Sequence, residues 1–273
     1  MATKLPIQHW SHSSLMTFLR NPLAWYKRYV ELVYDTPYTM SSVVGRAAHV
    51  ALQNFYGGIS KEGAVEMGLA FLRNVPDFEI NFGKAASKRA KKKKRDAMER
   101  EYLRSVWFFL KRPPKYDVVG VEVKGVVKVK GLPLPLKAVS DLVVVSKFEK
   151  EALDVVDFKF VDSFSKYGKD KSLFVIQAIF NYYTVSQIYS RPVRRFIVHE
   201  VKKSRNADGR SQLRKYVINF AEFDEEFKLF HRLIKDATIE IARRRIYLPN
   251  PSDMLEGENS FDIYRLGLVE QKN

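Results

Sequence analysis

At Tyr116 the apolar residues of this chain change their period, and that change limits the folds open to it. Before it, apolar positions recur at helical spacing. After it, Val119, Val121 and Val123, then Val127 and Val129, alternate with polar neighbours, as in a half-buried strand or hairpin. A turn at 131–135 leads to two Val-rich stretches, 137–145 and 152–160, which read as strands buried on both faces. A strongly amphipathic helix is predicted over 172–189. Strands follow over 194–201 and 215–220, separated by a polar loop with Asp208 and Gly209, and a last long helix covers about 223–245.

The first half reads as helices. Ser11 or Ser13 can cap a helix through Leu15, Phe18, Leu19, Trp25 and Tyr26; Pro22 interrupts it, and two short helices fit equally well. A second helix is expected from near Ser41, with Val44, Ala48, Ala51, Leu52 and Phe55 along one side, His49 in its middle and Gly57-Gly58 at its end. A third covers 61–73. Gly83 then opens a basic run, 84–95, and a helix is expected from Met98 to Leu110, closed by Pro113-Pro114. Helices, then strands enclosing one helix, then a helix describe an α/β fold with a mixed central sheet flanked by helices and preceded by a helical region. The expected division is 1–115 and 116–273, within one structural unit.

Charge narrows the partners. Lys and Arg number 47 against 31 Asp and Glu, a formal net charge of +16, so a polyanion is the expected partner, nucleic acid ahead of anionic membrane. With no cysteine, disulfides, thiolate zinc sites, a Cys nucleophile and a cysteine-ligated iron–sulfur cluster are excluded. No apolar run approaches the ~18 residues of a membrane span, and the first ten residues lack a basic segment followed by an apolar core. A cytoplasmic protein is expected.

Two neighbouring strands carry the candidate chemistry: Asp141 lies on one, Asp157-Phe158-Lys159 on the next. Residues two apart in a strand share a face, so Asp157 and Lys159 point to one cavity, and the adjacent strand can bring Asp141 beside them. Most acid-x-Lys pairs are strand-edge salt bridges. Asp157, however, interrupts an apolar strand, where an unpaired carboxylate is costly unless a metal or cation meets it. Asp154 is a competitor, but its odd spacing from Asp157 turns it to the opposite face. Two carboxylates can hold Mg²⁺ or Mn²⁺, which activates water and draws in a phosphate oxygen, while a lysine orients that water or steadies developing negative charge.

These residues, with others, resemble the RecB-like branch of the PD-(D/E)XK nucleases, which includes phage exonucleases and CRISPR adaptation nucleases. The resemblance spans most of the chain. It begins with Ser11-His12-Ser13-Ser14 and Asn21-Pro22, with Asn21 where the family has cysteine, and continues with Gly45-Arg46-Ala47-Ala48-His49, similar to a Gly-x-x-x-His helix. It implies a restriction-endonuclease-like core in which His49, Asp141, Asp157 and the backbone carbonyl of Phe158 hold the metal and Lys159 assists the water. Gln177 is similar to a family glutamine that positions DNA or water; the tyrosine expected four residues later falls on Asn181, with Tyr182 one place late. Glu122 resembles an acid of the first core strand, and an exposed residue is the other reading. Tyr247 to Pro251 resembles the step before the family's cluster-binding cysteines, so closure here would depend on tail residues such as Phe261, Ile263 and Tyr264.

The activity implied is Mg²⁺- or Mn²⁺-dependent cleavage of DNA, single-stranded or at duplex ends, by an exonuclease in recombination, repair or viral DNA processing. A structure-selective or single-strand endonuclease is the close alternative; a non-catalytic nucleic-acid-binding module and an RNA-directed protein are further ones. Lys91, Lys92, Lys93, Lys94 and Arg95, with Arg243, Arg244 and Arg245, are candidates for tracking the phosphate backbone, and aromatics of the first helix, such as Trp25 and Tyr26, for stacking on bases.

Overall fold

Polar side chains that cap helix starts set most boundaries in the first half of the chain. The computed structural model describes residues 5–33, 37–165, 171–204, 212–243, 246–248 and 250. After β1 (Trp10–Ser11), the Ser11 hydroxyl accepts from the Ser14 amide and Ser14 Oγ accepts from the Ser11 amide, a capping box that opens α1 (His12–Arg20). Asn21 Oδ1 accepts from the Ala24 amide and Pro22 takes the first position of α2 (Pro22–Tyr29). The two-helix alternative is therefore the one the chain adopts. β2 (Tyr38–Thr39) leads into α3 (Met40–Tyr56), capped by Thr39; Ser60 caps α4 (Lys61–Asn74); β3 (Ile80–Asn81) precedes α5 (Lys88–Lys111), capped by Ser87.

The start of α5 departs from expectation. The helix begins at Lys88 rather than near Met98, so most of the basic run is helical. Lysine and arginine are good helix formers, and Ser87 supplies the cap. The remaining elements are β4 (Val118–Val127), β5 (Leu136–Val145), β6 (Leu153–Val161), α6 (Lys171–Tyr189), β7 (Val193–Lys202), β8 (Leu213–Asn219) and α7 (Asp224–Ala242). The loop with Asp208 and Gly209 lies outside the described residues. β1, β2 and β3 are two-residue strands, too short to leave a periodic signal.

The chain divides into two compact units. One comprises 37–124 and 139–222, and the switch of period at Tyr116 falls inside it. Its sheet is mixed: β5 pairs β6 antiparallel, β6 pairs β7 parallel, β7 pairs β8 antiparallel, and β4 also pairs β5. Val156, Phe158 and Phe160 of β6 join Leu142, Val144, Ile197 and Val201 in the core shared with α3, α4 and α5. Asp157 and Lys159 point to the other side, where α6 packs. Gly68 lets α4 approach closely, since a Cβ there would lie 2.5 Å from the Ala47 carbonyl oxygen and 2.2 Å from the Tyr102 hydroxyl. That hydroxyl donates to the Val65 carbonyl at 2.6 Å.

Two expectations are corrected. The strand β5 is buried on both faces only in its second half, for Lys137 and Val139 are exposed. The helix α6 is not amphipathic: Ala178, Ile179, Phe180 and Asn181 are consecutive and all buried, so it is surrounded for at least a full turn.

The other unit comprises 1–36, 125–138 and 223–273. Its core is aromatic. Trp10 stacks on Trp25 at 5.8 Å, Phe18 meets Trp25 edge-on at 5.1 Å, and Tyr247 closes on Trp25 at 5.5 Å and on Tyr26 at 5.1 Å. Each such ring, once buried, contributes roughly 1.5–3 kcal/mol. Trp10 donates to Thr238 Oγ1 of α7 at 2.9 Å, and β1 runs parallel to the first residues of β5, Trp10 opposite Leu136. Trp25 is fully buried, which removes it as a stacking surface for bases. The tail residues Phe261, Ile263 and Tyr264 lie outside the described residues. Among the described residues no helix is long and apolar enough to cross a membrane.

Candidate active site

The centre of the site is a buried carboxylate that its neighbours satisfy only in part. Asp157 sits in the middle of β6 with its side chain 7% exposed. Its Oδ1 accepts from Gln177 Nε2 at 2.7 Å and from the Lys159 ammonium at 3.2 Å. Its Oδ2 lies 2.9 Å from the same ammonium, yet accepts no hydrogen bond. The attraction there is Coulombic only. A buried anionic oxygen without a hydrogen bond is costly, on the order of 1–3 kcal/mol or more, so its retention marks a place where another positive group fits.

Asp141 stands at the point where β5 and β6 part. Their paired register reaches Leu142 opposite Val156, and beyond it the Asp141 side chain takes over: Oδ2 accepts the Phe158 amide at 2.8 Å. Oδ1 lies 3.3 Å from Nδ1 of His49, which α3 carries to the site. Asn181 Nδ2 donates to the Gln177 main-chain carbonyl, one turn back on α6, at 2.8 Å, while Asn181 Oδ1 accepts from Ser140 at 2.5 Å. A buried asparagine, with no tyrosine in its place, thus ties α6 to the residue before Asp141. Tyr182 packs against Tyr183 and Phe220 instead.

The two acids are pushed apart in strength. Burial drives the Asp157 carboxyl up; Lys159 opposes this, the nearby Asp141 charge reinforces it, and the net is upward. Burial also acts on Asp141, but His49 and the Phe158 amide outweigh it and hold that carboxyl below the usual range. For His49 burial is the largest influence, downward, and the Asp141 carboxylate reverses it, favouring imidazolium. Lys159 loses to burial and regains more from Asp157, so it stays an ammonium. Two acids split by their surroundings are a common arrangement where proton and charge chemistry is done.

His49, Glu122, Asp141 and Phe158 line one cleft of about 330 Å³, together with Arg46, Gln53 and Phe71. Glu122 sits on β4 at a left-handed backbone position, φ 49°, and pairs with Lys124 at 2.8 Å. The ring of Phe158, whose carbonyl is the other candidate ligand, is buried and stacked on Tyr56 at 5.7 Å. Lys92, Lys93 and Lys94 are exposed on α5, and Lys91 lies 6.0 Å from the Phe82 ring. Arg95 differs from them: it donates to Asp77 Oδ1 and to the Leu72 and Val75 carbonyls, so its guanidinium fastens α5 to the segment after α4. Arg243 is exposed beside Glu240; Arg244 and Arg245 lie outside the described residues.

Glu200 was not singled out in the sequence. It sits on β7 directly opposite Lys159 and is 1% exposed, its carboxylate accepting the Ser165 amide at 3.2 Å and the Ser165 hydroxyl. The signal was there: Glu200 interrupts the apolar run of 196–201 much as Asp157 interrupts β6.

Among the described residues no three His, Asp or Glu side chains form a ready-made metal cage. What fits a hard divalent cation is the orphaned Asp157 Oδ2 beside a second carboxylate, Asp141, and one imidazole, His49. His49 and Lys159 now share the charge of those carboxylates.

A mixed sheet flanked by helices, with an acid on one strand and an acid-x-Lys on the next, is the restriction-endonuclease-like arrangement. The model of the PD-(D/E)XK nuclease superfamily matches residues 9–253, and the chain belongs to that superfamily. Membership brings nuclease chemistry, with DNA as the substrate and divalent metals as the usual cofactor of its members. No curated protein matches the chain. Among solved structures, one described as the crystal structure of SSO0001 is 15% identical over 84% of each chain with a TM-score of 0.30, a likeness too slight to inform the site.

Proposed function

We propose that the protein is a Mg²⁺- or Mn²⁺-dependent deoxyribonuclease of the RecB-like branch that degrades DNA from its ends, in recombination, repair or viral DNA processing. The observation that carries the reading is the Asp157 carboxylate: buried, bound by Gln177 and Lys159, and left with an oxygen that accepts no hydrogen bond. Asp141, Asp157, His49 and the Phe158 carbonyl would hold the metal, with Glu122 a further acid on the cleft wall. When bound, the cation lowers the pKa of water and polarises the phosphate.

The chain's own residues do the rest. Lys159, an ammonium, steadies negative charge as water attacks phosphorus and the P–O bond to the leaving group breaks. Gln177 fixes one oxygen of Asp157, so the acid is held from swinging away from the strand. Lys92, Lys93 and Lys94 are exposed and suited to the DNA backbone, with the half-buried Lys91 and the exposed Arg243 as further phosphate contacts. Salt sensitivity of binding follows from those charges.

The test uses end-labelled single-stranded and duplex DNA, linear and circular, with Mg²⁺, Mn²⁺ or EDTA. Metal-dependent loss of linear DNA, with circles spared and with Asp157→Ala and Lys159→Ala inactive, is the expected result. Cutting of circles would turn the reading to an endonuclease. Tight binding without metal-dependent cleavage of any substrate would overturn it.

A further inference from the structure

Arg46 lines the cleft beside His49, and among the described residues it makes no hydrogen bond or ion pair. It sits on α3 one helical turn before His49, so both side chains lie on the same side of that helix. Its neighbours explain how it is held. The guanidinium carbon lies 4.5 Å from the centre of the Tyr38 ring and 5.3 Å from that of Phe71, so the charged group packs over two aromatic rings. Contacts with ring π-systems do not use up the guanidinium N–H donors as an acid partner would.

The absence of an acid partner is informative because acids are close. Glu122 and Asp141 line the same cleft, yet Glu122 is taken by Lys124 and Asp141 by His49 and the Phe158 amide. Lys159, the other cation beside the candidate catalytic acids, is engaged with Asp157. An arginine oriented by aromatic rings, facing a cleft beside paired acids and itself unpaired, is prepared for an anion brought by the substrate. A phosphodiester matches it, since its two non-bridging oxygens accept the paired N–H bonds of a guanidinium.

We propose that Arg46 is a phosphate clamp: braced by Tyr38 and Phe71, it grips one backbone phosphate of the DNA strand next to the phosphate being cleaved, and so sets where the strand stops in the site. The inference rests on the nuclease reading. Its requirements are narrower than those of charge alone. Arg46→Lys keeps the charge but not the flat plane or the two-pronged grip, so it should restore little of what Arg46→Ala loses. Tyr38→Leu and Phe71→Leu should give a smaller loss of the same kind.

Two measurements test it. The first is steady-state cleavage of a short oligonucleotide in which one phosphate at a time is replaced by a neutral methylphosphonate. Arg46→Ala is expected to raise KM roughly tenfold with kcat changed by less than about threefold, and one methylphosphonate that weakens the wild type should cost the variant nothing further. The second is equilibrium binding of the same oligonucleotide against salt, in an Asp157→Asn background with EDTA, where Arg46→Ala should reduce the log–log salt slope by about one. If the wild type cleaves but Arg46→Ala leaves KM, the methylphosphonate pattern and the slope unchanged, the clamp is overturned. A fall in kcat alone would overturn it too. If the wild type cleaves no DNA, the nuclease reading fails, and the slope still decides whether Arg46 meets a phosphate.

Discussion

The two faces of β6 carry two buried acids with opposite fates. On one face Asp154, 1% exposed, lies directly opposite Arg195 of β7, whose Nε reaches both carboxylate oxygens at 3.2 and 3.1 Å and whose Nη2 bonds Oδ2. The guanidinium grips it in two-pronged fashion, and Phe148 covers the guanidinium at 4.5 Å. On the other face Asp157 has a lysine, a single-point donor, and an oxygen that no hydrogen bond reaches. Arginine closes a carboxylate; lysine leaves it with capacity for a further ligand. Burial of an acid is thus not in itself the mark of a site. What distinguishes the second acid is incomplete satisfaction, next to an open cleft and a second acid.

The comparison breaks first on activity. Lys159→Ala or Asp157→Asn is expected to lower metal-dependent DNA cleavage by roughly 10³-fold, the scale of losing a principal charge-stabilising group, whereas Asp154→Asn should cleave at the wild-type rate per folded molecule. Stability should show the reverse. Asp154→Ala leaves the mostly covered Arg195 without its anion and should cost about 3–5 kcal/mol in urea unfolding. Asp157→Asn removes an acid that burial disfavours, so it should unfold within about 1 kcal/mol of wild type, on either side, in the presence of EDTA. Equal destabilisation by Asp154→Ala and Asp157→Asn would erase the distinction.

The dependence of stability on pH sharpens it further. His199 lies on the Asp154 face, stacked on Phe158 at 5.7 Å, and burial, with help from Lys215, holds its pKa down to about 4. Between pH 6.5 and 4 the unfolded chain takes up a proton that the folded chain refuses, so stability is full above 6.5 and falls as pH drops. The slope approaches 1.4 kcal/mol per pH unit and the total reaches roughly 3 kcal/mol. Urea midpoints measured across that range should lose this component in His199→Phe. The smallest effect is expected at Glu200: its carboxylate faces Lys159 across the strand pair, and Glu200→Gln should lower kcat several-fold, about 1 kcal/mol, leaving KM unchanged in the same cleavage assay.

Much of this could be read along the chain, and what could not has physical reasons. The alternation at Val127 and Val129, the Val-rich β6 and the odd spacing of Asp154 from Asp157 are local, and strand geometry turns them directly into faces; in β4 the expected face fails, for Val119 is exposed while Val118 and Val121 pack on the core. Apolar periodicity is silent over a run of lysines and so does not reveal that α5 begins at Lys88, although their helix propensity and the Ser87 cap favour it. The contact between His49 and Asp141 joins a helix and a strand distant in sequence, and only the resemblance brought them together. Trp10 and Thr238 bond across 228 residues, and no local pattern foretells that. Arg46 lies within the Gly45–His49 segment, but its meaning depends on Tyr38 and Phe71, which no local pattern brings to it.

The most direct measurement is a calorimetric titration of Mn²⁺ into the wild-type protein, Asp157→Asn and Asp154→Asn. The account predicts saturable binding by the wild type and by Asp154→Asn, and none by Asp157→Asn. Binding retained by Asp157→Asn, or lost equally in both variants, would contradict it.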